Sequence, residues 1–379
     1  MQQKYLLVWD RIGDYHRSRW KALAEKAGSE NVFGADLGAA DSLYKWENTS
    51  ALPGHFQLSK LPVEKRDFWS RVNAFRRILS NEKITAVGIA GYGRPEYLAF
   101  LLIAFLTGRK VVMFAESWYG GPSLLNKLKG LYLKMCVNGY LVSGIRAETH
   151  FINNLDIPAK RIQIGYSVVD NSHFASKFKG STSHNAAASG NEKASQSPKP
   201  ILLCIARFSP EKNLEALIVD FLKSKIADTY ILKLVGGGPL QSRLAELAAG
   251  NKNVLLSPWE TYSKLPQIYA GATWFILPST FEPWGLVVNE AMAAGLPLIL
   301  STECGCAPDL LGPDNGIEFC LPAGKEQKEE KMPLLPDAIN SIANYSAQQI
   351  EAMGNASKMR IASFSPQTWA DSFIRLSKM

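Results

Sequence analysis

Four side chains in the second half of the chain have the types and spacing to hold a phosphorylated sugar. Arg207 and Lys212 lie in Ile205-Ala206-Arg207-Phe208-Ser209-Pro210-Glu211-Lys212-Asn213, where an apolar strand-like run gives way to a turn and a helix. A planar guanidinium and a compact ammonium placed there can clamp a diphosphate from two sides. Glu282 and Glu290 lie in Phe281-Glu282-Pro283-Trp284-Gly285-Leu286-Val287-Val288-Asn289-Glu290, the first in a loop and the second about a turn into a helix. Glu282 can accept sugar hydroxyls, Glu290 ribose hydroxyls, and the N–H groups of the helix start can take phosphate. Gly285 lets the backbone approach a ligand closely, with Pro283, Leu286 and Val287 beside it. The competing reading is an amphipathic helix with an incidental pair of acids.

Other groups of this kind are sparse. The five cysteines stand at 136, 204, 304, 306 and 320, and only Cys304 and Cys306 are close together. No second pair or His cluster completes a zinc site, so reduced thiols and no bound metal are expected. No Asp-x-Asp occurs in the chain.

These residues need elements to hold them. Strand-like runs at 5–9, 31–37, 84–90, 110–115, 139–143 and 162–169 alternate with helical ones such as 68–81 and 95–107. After a break the rhythm restarts with strands at 201–205, 230–235, 254–256, 274–277 and 297–300. Such alternation predicts parallel sheets wrapped by helices, an α/β fold of two doubly wound, Rossmann-like domains. The break is rich in Ser, Ala, Gly and Asn and predicts a linker or flexible loop at 176–199. We expect an N-terminal acceptor domain at 1–175, a donor domain at 200–360 and a closing helix at 361–379 carrying Trp369, Phe373 and Leu376 at helical spacing. Facing domains of this type present a central cleft at the carboxyl ends of their strands.

Here the residues resemble a known family. Pro278-Ser279, Phe281-Glu282-Pro283, Gly285 and Glu290-Ala-Met-Ala-Ala-Gly295-Leu-Pro297 match the Glu-x7-Glu motif of family-four retaining glycosyltransferases of the GT-B type. The resemblance is strong over 200–310 and looser elsewhere. It implies that Arg207 and Lys212 bind the donor pyrophosphate and stabilise the leaving group, that Glu282 orients the donor sugar, and that Glu290 faces the ribose. Gly236 and Gly238, in a turn similar to the family's Gly-x-Gly-Pro, would line the nucleotide pocket, with 254–259 and 265–270 near the base. Ser301-Thr302-Glu303-Cys304-Gly305-Cys306-Ala307-Pro308-Asp309 resembles the family's Gly-Gly-x-Pro-Glu stretch, with Cys306 replacing the second Gly and Asp309 the Glu. In the first half the family's Gly-rich loop keeps only Gly13, and Glu116 stands nearest to where many relatives carry a His beside the reacting sugar.

The resemblance implies a metal-independent, hexosyltransferase-like enzyme. It would move a sugar with retention from a nucleotide-diphosphate sugar to a hydroxyl acceptor, in polysaccharide or glycolipid assembly. No cofactor beyond the donor is implied. A nucleotide-sugar-binding protein without catalysis is the alternative. An oxidoreductase would need Gly-x-Gly-x-x-Gly with an acid about 20 residues on, which no turn supplies.

Charge suggests a further partner. Residues 1–175 carry 23 Lys and Arg against 15 Asp and Glu, a net +8, whereas 176–379 carry 19 of each. The competing reading is a solvated basic surface. An anionic membrane surface or a phosphorylated or lipid-linked acceptor fits the excess, and no nucleic-acid module accompanies it. The start runs directly into a strand, and the longest apolar run, 98–106, falls well short of the roughly 20 residues that span a bilayer. A cytoplasmic protein, peripheral on the inner face of a membrane, is the expectation.

Overall fold

The computed structural model describes residues 3–39, 52–175, 198–322 and 332–379. The chain forms two compact units, Met1–Asp170 with Ser363–Met379, and Asn171–Ala362.

The first unit holds β1 (Tyr5–Trp9), α1 (Asp14–Ala27), β2 (Val32–Asp36), β3 (His55–Gln57), α2 (Phe68–Asn81), β4 (Ala86–Ala90), α3 (Pro95–Leu106), β5 (Lys110–Ala115), α4 (Leu124–Cys136), β6 (Gly139–Val142), α5 (Ile145–Asn153) and β7 (Ile162–Ile164). The strands pair in the order β3-β2-β1-β4-β5-β6-β7, and every pair is parallel. Both faces of the sheet are covered, so central β1 is apolar throughout and wholly buried. Its side chains alternate between two cores. Leu6 and Val8 pack with Phe75 of α2, Phe100 of α3, Leu133 of α4 and Phe151 of α5. Tyr5, Leu7 and Trp9 pack on the other face with Trp20 and Leu23 of α1.

The second unit holds α6 (Asn171–Ala175), β8 (Ile201–Ile205), α7 (Leu214–Lys223), β9 (Ile231–Val235), α8 (Gln241–Ala248), β10 (Val254–Ser257), α9 (Leu265–Ala270), β11 (Trp274–Leu277), α10 (Leu286–Ala294), β12 (Leu298–Ser301), α11 (Ala307–Leu310), β13 (Gly316–Phe319), α12 (Leu335–Ser341) and α13 (Ala347–Ile361). Its sheet is also parallel, in the order β10-β9-β8-β11-β12-β13. The order reverses between β8 and β11. Loops leaving the carboxyl ends of that pair diverge to opposite sides and leave room for a ligand. The same reversal falls between β1 and β4 in the first unit.

The last helix, α14 (Pro366–Ser377), packs against α1 of the first unit. Ser365 caps it by accepting the Thr368 N–H, and Pro366 opens its first turn. Trp369 and Phe373 stack on each other and reach Phe114 of β5, while Lys26 pairs with Asp371 at 2.8 Å. Removing a wholly buried ring such as Trp369 costs about 3–5 kcal/mol.

Several sequence expectations need adjustment. The strand expected at 162–169 ends at Ile164, because Gly165 takes a φ of +115° that breaks the extended run. Edge strands β3 and β13 were not anticipated. A turn closed by Asn315 Oδ1, which accepts the Gly312 N–H, leads into β13 at Gly316. The division between units falls after Asp170, since α6 packs on α10 and α9. Within the expected linker, 176–197 lie outside the described residues.

Candidate functional site

The loops at the switch point of the second sheet are laced together by backbone hydrogen bonds. The Phe208 N–H donates to Gly237 O at 2.9 Å, and Leu240 N–H donates to Phe208 O at 2.9 Å. Gly236 and Gly238 permit this approach. A Cβ on Gly236 would stand 1.9 Å from Ala206 O, and one on Gly238 would stand 2.6 Å from Phe208 O. The glycines therefore bring the β9 loop against the residues flanking Arg207.

A short 3₁₀ turn, Pro210–Lys212, follows, and Asn213 then adopts left-handed geometry to start α7. The Thr280 N–H donates to Glu211 O at 2.8 Å, which ties this turn to the β11 loop. Lys212 Nζ consequently reaches Glu282 Oε2 at 2.5 Å, with both side chains largely buried. Arg207 lies half-exposed on the same loop and donates from Nη2 to Glu211 Oε1 at 2.7 Å and from Nε to Ser209 Oγ at 3.2 Å. Partial burial pushes the Glu211 carboxyl up. Hydrogen bonds from Ser209 and Arg207 outweigh that and hold it at about 2. The loop thus keeps an ionised carboxylate as the resting partner of Arg207.

Glu282 is fixed through its backbone. Its N–H donates to Glu303 O at 3.2 Å and its carbonyl accepts from the Gly305 N–H at 2.9 Å. This explains why the 301–309 stretch matters despite its departures: it braces the loop that carries the carboxylate. Cys304 and Cys306 beneath it are buried thiols. Burial pushes Cys304 up to about 12 and Cys306 well above its ordinary value. Neutral thiols of this kind are poor metal ligands. Among the described residues no group of three His, Cys, Asp or Glu side chains is placed to hold a metal.

Gly285, at a φ of +97°, is the N-cap of α10 and supplies no side-chain cap. The first turn of α10 carries no acid, and Leu286 and Val287 at its start are partly exposed. An anion placed there would satisfy the open N–H groups and the helix dipole. Glu290 is wholly buried and accepts the Tyr269 hydroxyl at 2.6 Å. The expected ribose contact thus starts from a carboxylate already held by Tyr269, a partner with no signal in the sequence beyond its place within 265–270. Trp259, exposed, lies beside Gly237.

The remaining candidates lie in the first unit. Gly13 is the N-cap of α1, and its N–H donates to His16 Nδ1 at 3.1 Å. Burial, with help from Arg19, holds His16 well below the usual imidazole range, so it is neutral at pH 7. Glu116 follows β5 and accepts the Ser167 hydroxyl at 2.6 Å. Nearby in the fold, at the β1/β4 reversal, Asp10 Oδ2 accepts from Arg94 Nη2 at 2.8 Å and Oδ1 accepts the Tyr97 hydroxyl at 2.5 Å. The sequence reading passed over this acid–base pair. The structure thus gathers Arg207, Lys212, Glu282, Gly236 and Gly238 on neighbouring loops of one unit, with Pro283, Gly285, Leu286 and Val287 continuing the β11 loop into α10 and Glu290 buried within that helix. Gly13 and Glu116 belong to the other unit.

Known proteins resemble this chain in sequence and in fold. Residues 188–331 match the family model described as Glycosyl transferases group 1. Sulfoquinovosyl transferase SQD2 of Arabidopsis thaliana is 29% identical over 156 residues, covering 41% of this chain and 29% of that protein. A glycogen synthase of Deinococcus deserti is 30% identical over 227 residues, covering 60% of this chain and 47% of that protein. The chain therefore spans less than half the length of either relative. Among solved structures, a glycosyltransferase from Rickettsia africae superposes with a TM-score of 0.74 at 14% identity, over 100% of this chain and 98% of that one. Anabaena HepE in complex with UDP superposes with a TM-score of 0.71 at 14% identity, over the whole of both chains. The fold is that of GT-B glycosyltransferases.

Proposed function

We propose that this chain is a glycosyltransferase whose second unit binds a nucleotide-diphosphate sugar between Arg207, Lys212 and the start of α10. The reading proceeds from the match of 188–331 to Glycosyl transferases group 1. The observation that carries it is the Lys212–Glu282 pair, formed across 70 positions of sequence and joined to Arg207 through Glu211. Two cations and a carboxylate on adjacent loops suit a sugar diphosphate, because the leaving diphosphate gains negative charge as the sugar departs. Fixed cations stabilise that charge without reorganisation. Arg207 and Lys212 would then do the work of a divalent ion, and transfer should persist in EDTA.

In this reading Glu282 holds hydroxyls of the donor sugar and acts as a positioning carboxylate. Glu290, steadied by Tyr269, takes the ribose. Gly236 and Gly238 let the nucleotide lie against backbone, Gly285, Leu286 and Val287 bring N–H groups to the phosphates, and Pro283, which has no N–H, stiffens the loop before them. Gly13 and Glu116 serve the sugar and acceptor side. Transfer with retention follows most simply from front-face attack, in which the departing phosphate takes the acceptor proton. HepE is crystallised with UDP and with UDP-glucose, which supports a uridine nucleotide sugar as the first donor to try. A hexosyl transfer to a saccharide or lipid-linked hydroxyl, in polysaccharide or glycolipid assembly at the cytoplasmic side of an anionic membrane, fits the family match and the basic first unit.

The test is acceptor-dependent release of nucleoside diphosphate from a panel of nucleotide sugars, with the anomeric configuration of the product read by NMR. Tight donor binding with no release on adding any saccharide or glycolipid acceptor would favour a binding protein instead. An inverted anomer would remove the retaining mechanism.

A further inference from the structure

We propose that the outer face of α4 is an interfacial anchor that lies on an anionic lipid bilayer. The proposal gives a surface to the membrane part of the reading above and is independent of the donor chemistry.

Helix α4 is apolar on both sides. Its inner side buries Gly130, Leu133 and Cys136. A Cβ at Gly130 would stand 1.9 Å from Leu155 O, so this side sits tight against the unit. A helix covering a sheet ordinarily turns polar residues outward. Here Leu124, Leu125, Leu128, Leu131 and Met135 face water with exposures of 50–76%. Positions 124, 128, 131 and 135 follow one helical stripe, roughly opposite the buried one. Four large apolar side chains in a row make a contiguous patch, which soluble monomers rarely leave open. Next to it, the Tyr132 hydroxyl donates to Leu98 O of α3 at 2.5 Å, and Leu98 is itself exposed.

The charges around this stripe choose the occupant. Helix α4 contains Lys127, Lys129 and Lys134 and no acid. Lys127 and Lys129 are exposed, and Lys134 pairs with the exposed Asp156. Lysines beside an apolar stripe can insert their stems and keep the ammonium at a phosphate headgroup. The unit's charge has the same sign, since the whole +8 excess of the chain falls within 1–175. A symmetric contact with a second copy would instead press the same lysines against each other. No helix among the described residues is long and apolar enough to cross a membrane, so the helix would lie on the surface.

The experiment is co-sedimentation of the full chain with vesicles of phosphatidylcholine alone and with one-third phosphatidylglycerol. Binding should require the anionic lipid and weaken as salt rises. Leu128→Ser with Leu131→Ser, and separately Lys127→Glu with Lys129→Glu, should each lower vesicle partition by about tenfold or more. Thermal unfolding and UDP binding should stay as in the wild type, which separates loss of the anchor from loss of fold or of the donor site. Equal pelleting with and without anionic lipid overturns the proposal. So does wild-type binding by the double serine variant, or a dimer in sedimentation velocity that this variant dissociates while vesicles go unbound.

Discussion

The Lys212–Glu282 pair allows a prediction with opposite signs for its two members. The ammonium and carboxylate satisfy each other at 2.5 Å, with side-chain exposures of 15% and 12%. If the ammonium turns to a donor phosphate, Lys212→Ala removes one charge-assisted contact worth about 1.5–3 kcal/mol. That corresponds to roughly 10- to 150-fold weaker binding of a nucleoside diphosphate. Glu282→Gln leaves the cation in place and frees it from its carboxylate. UDP affinity should hold or tighten in this variant, while transfer from the matching nucleotide sugar falls by orders of magnitude. Either change strands one partner of a mostly buried pair. Each should cost some stability, below the 3–5 kcal/mol or so of a fully buried pair because water still reaches both groups. Isothermal titration with UDP and ADP, at a temperature where both variants remain folded, gives the comparison. If both variants weakened nucleotide binding alike, or Lys212→Ala bound like the wild type, the division of labour would be wrong.

Three further outcomes follow from the geometry. Gly236→Ala should destabilise the second unit by roughly 2–4 kcal/mol in urea unfolding, because its Cβ meets Ala206 O at 1.9 Å, whereas Gly93→Ala, with open space around it, should be near neutral. Tyr269→Phe removes the hydroxyl that the buried Glu290 carboxylate accepts and should cost about 1–3 kcal/mol, with weaker binding of nucleotides than of inorganic diphosphate; an unchanged urea midpoint would show that the hydroxyl contributes nothing. Burial lowers His16 and His150 below the ordinary imidazole range, so the unfolded chain takes up protons near pH 6.5 before the folded one does. Their contribution is complete above that pH and is lost as pH falls below it, so the urea midpoint should drop on acidification, and less steeply in His16→Gln.

The sequence disclosed what is local. Arg207 and Lys212 were legible because five positions of a strand-to-helix turn put both on one loop, and the apolar runs of β1, β5, β8 and β11 were legible because buried parallel strands need no alternation. Edge strands β3 and β13 were not, since His55, Gln57 and Glu318 interrupt short segments only half covered by the sheet. The pairing of Lys212 with Glu282 depends on the Thr280–Glu211 tie, made by the Thr280 N–H and doubled by its hydroxyl across 69 positions that no local pattern links. Tyr269 gave no warning either, because one tyrosine at the end of a six-residue helix has no pattern to betray it. Nothing in the sequence of α4 sorts its five leucines, and only packing puts Leu133 inside and Leu124, Leu125, Leu128 and Leu131 outside.

A crystal structure of the full chain with bound UDP is the decisive measurement. Diphosphate oxygens should lie within hydrogen-bond distance of the Arg207 guanidinium and Lys212 Nζ, with ribose hydroxyls on Glu290. A nucleotide bound elsewhere, touching neither cation, would contradict it.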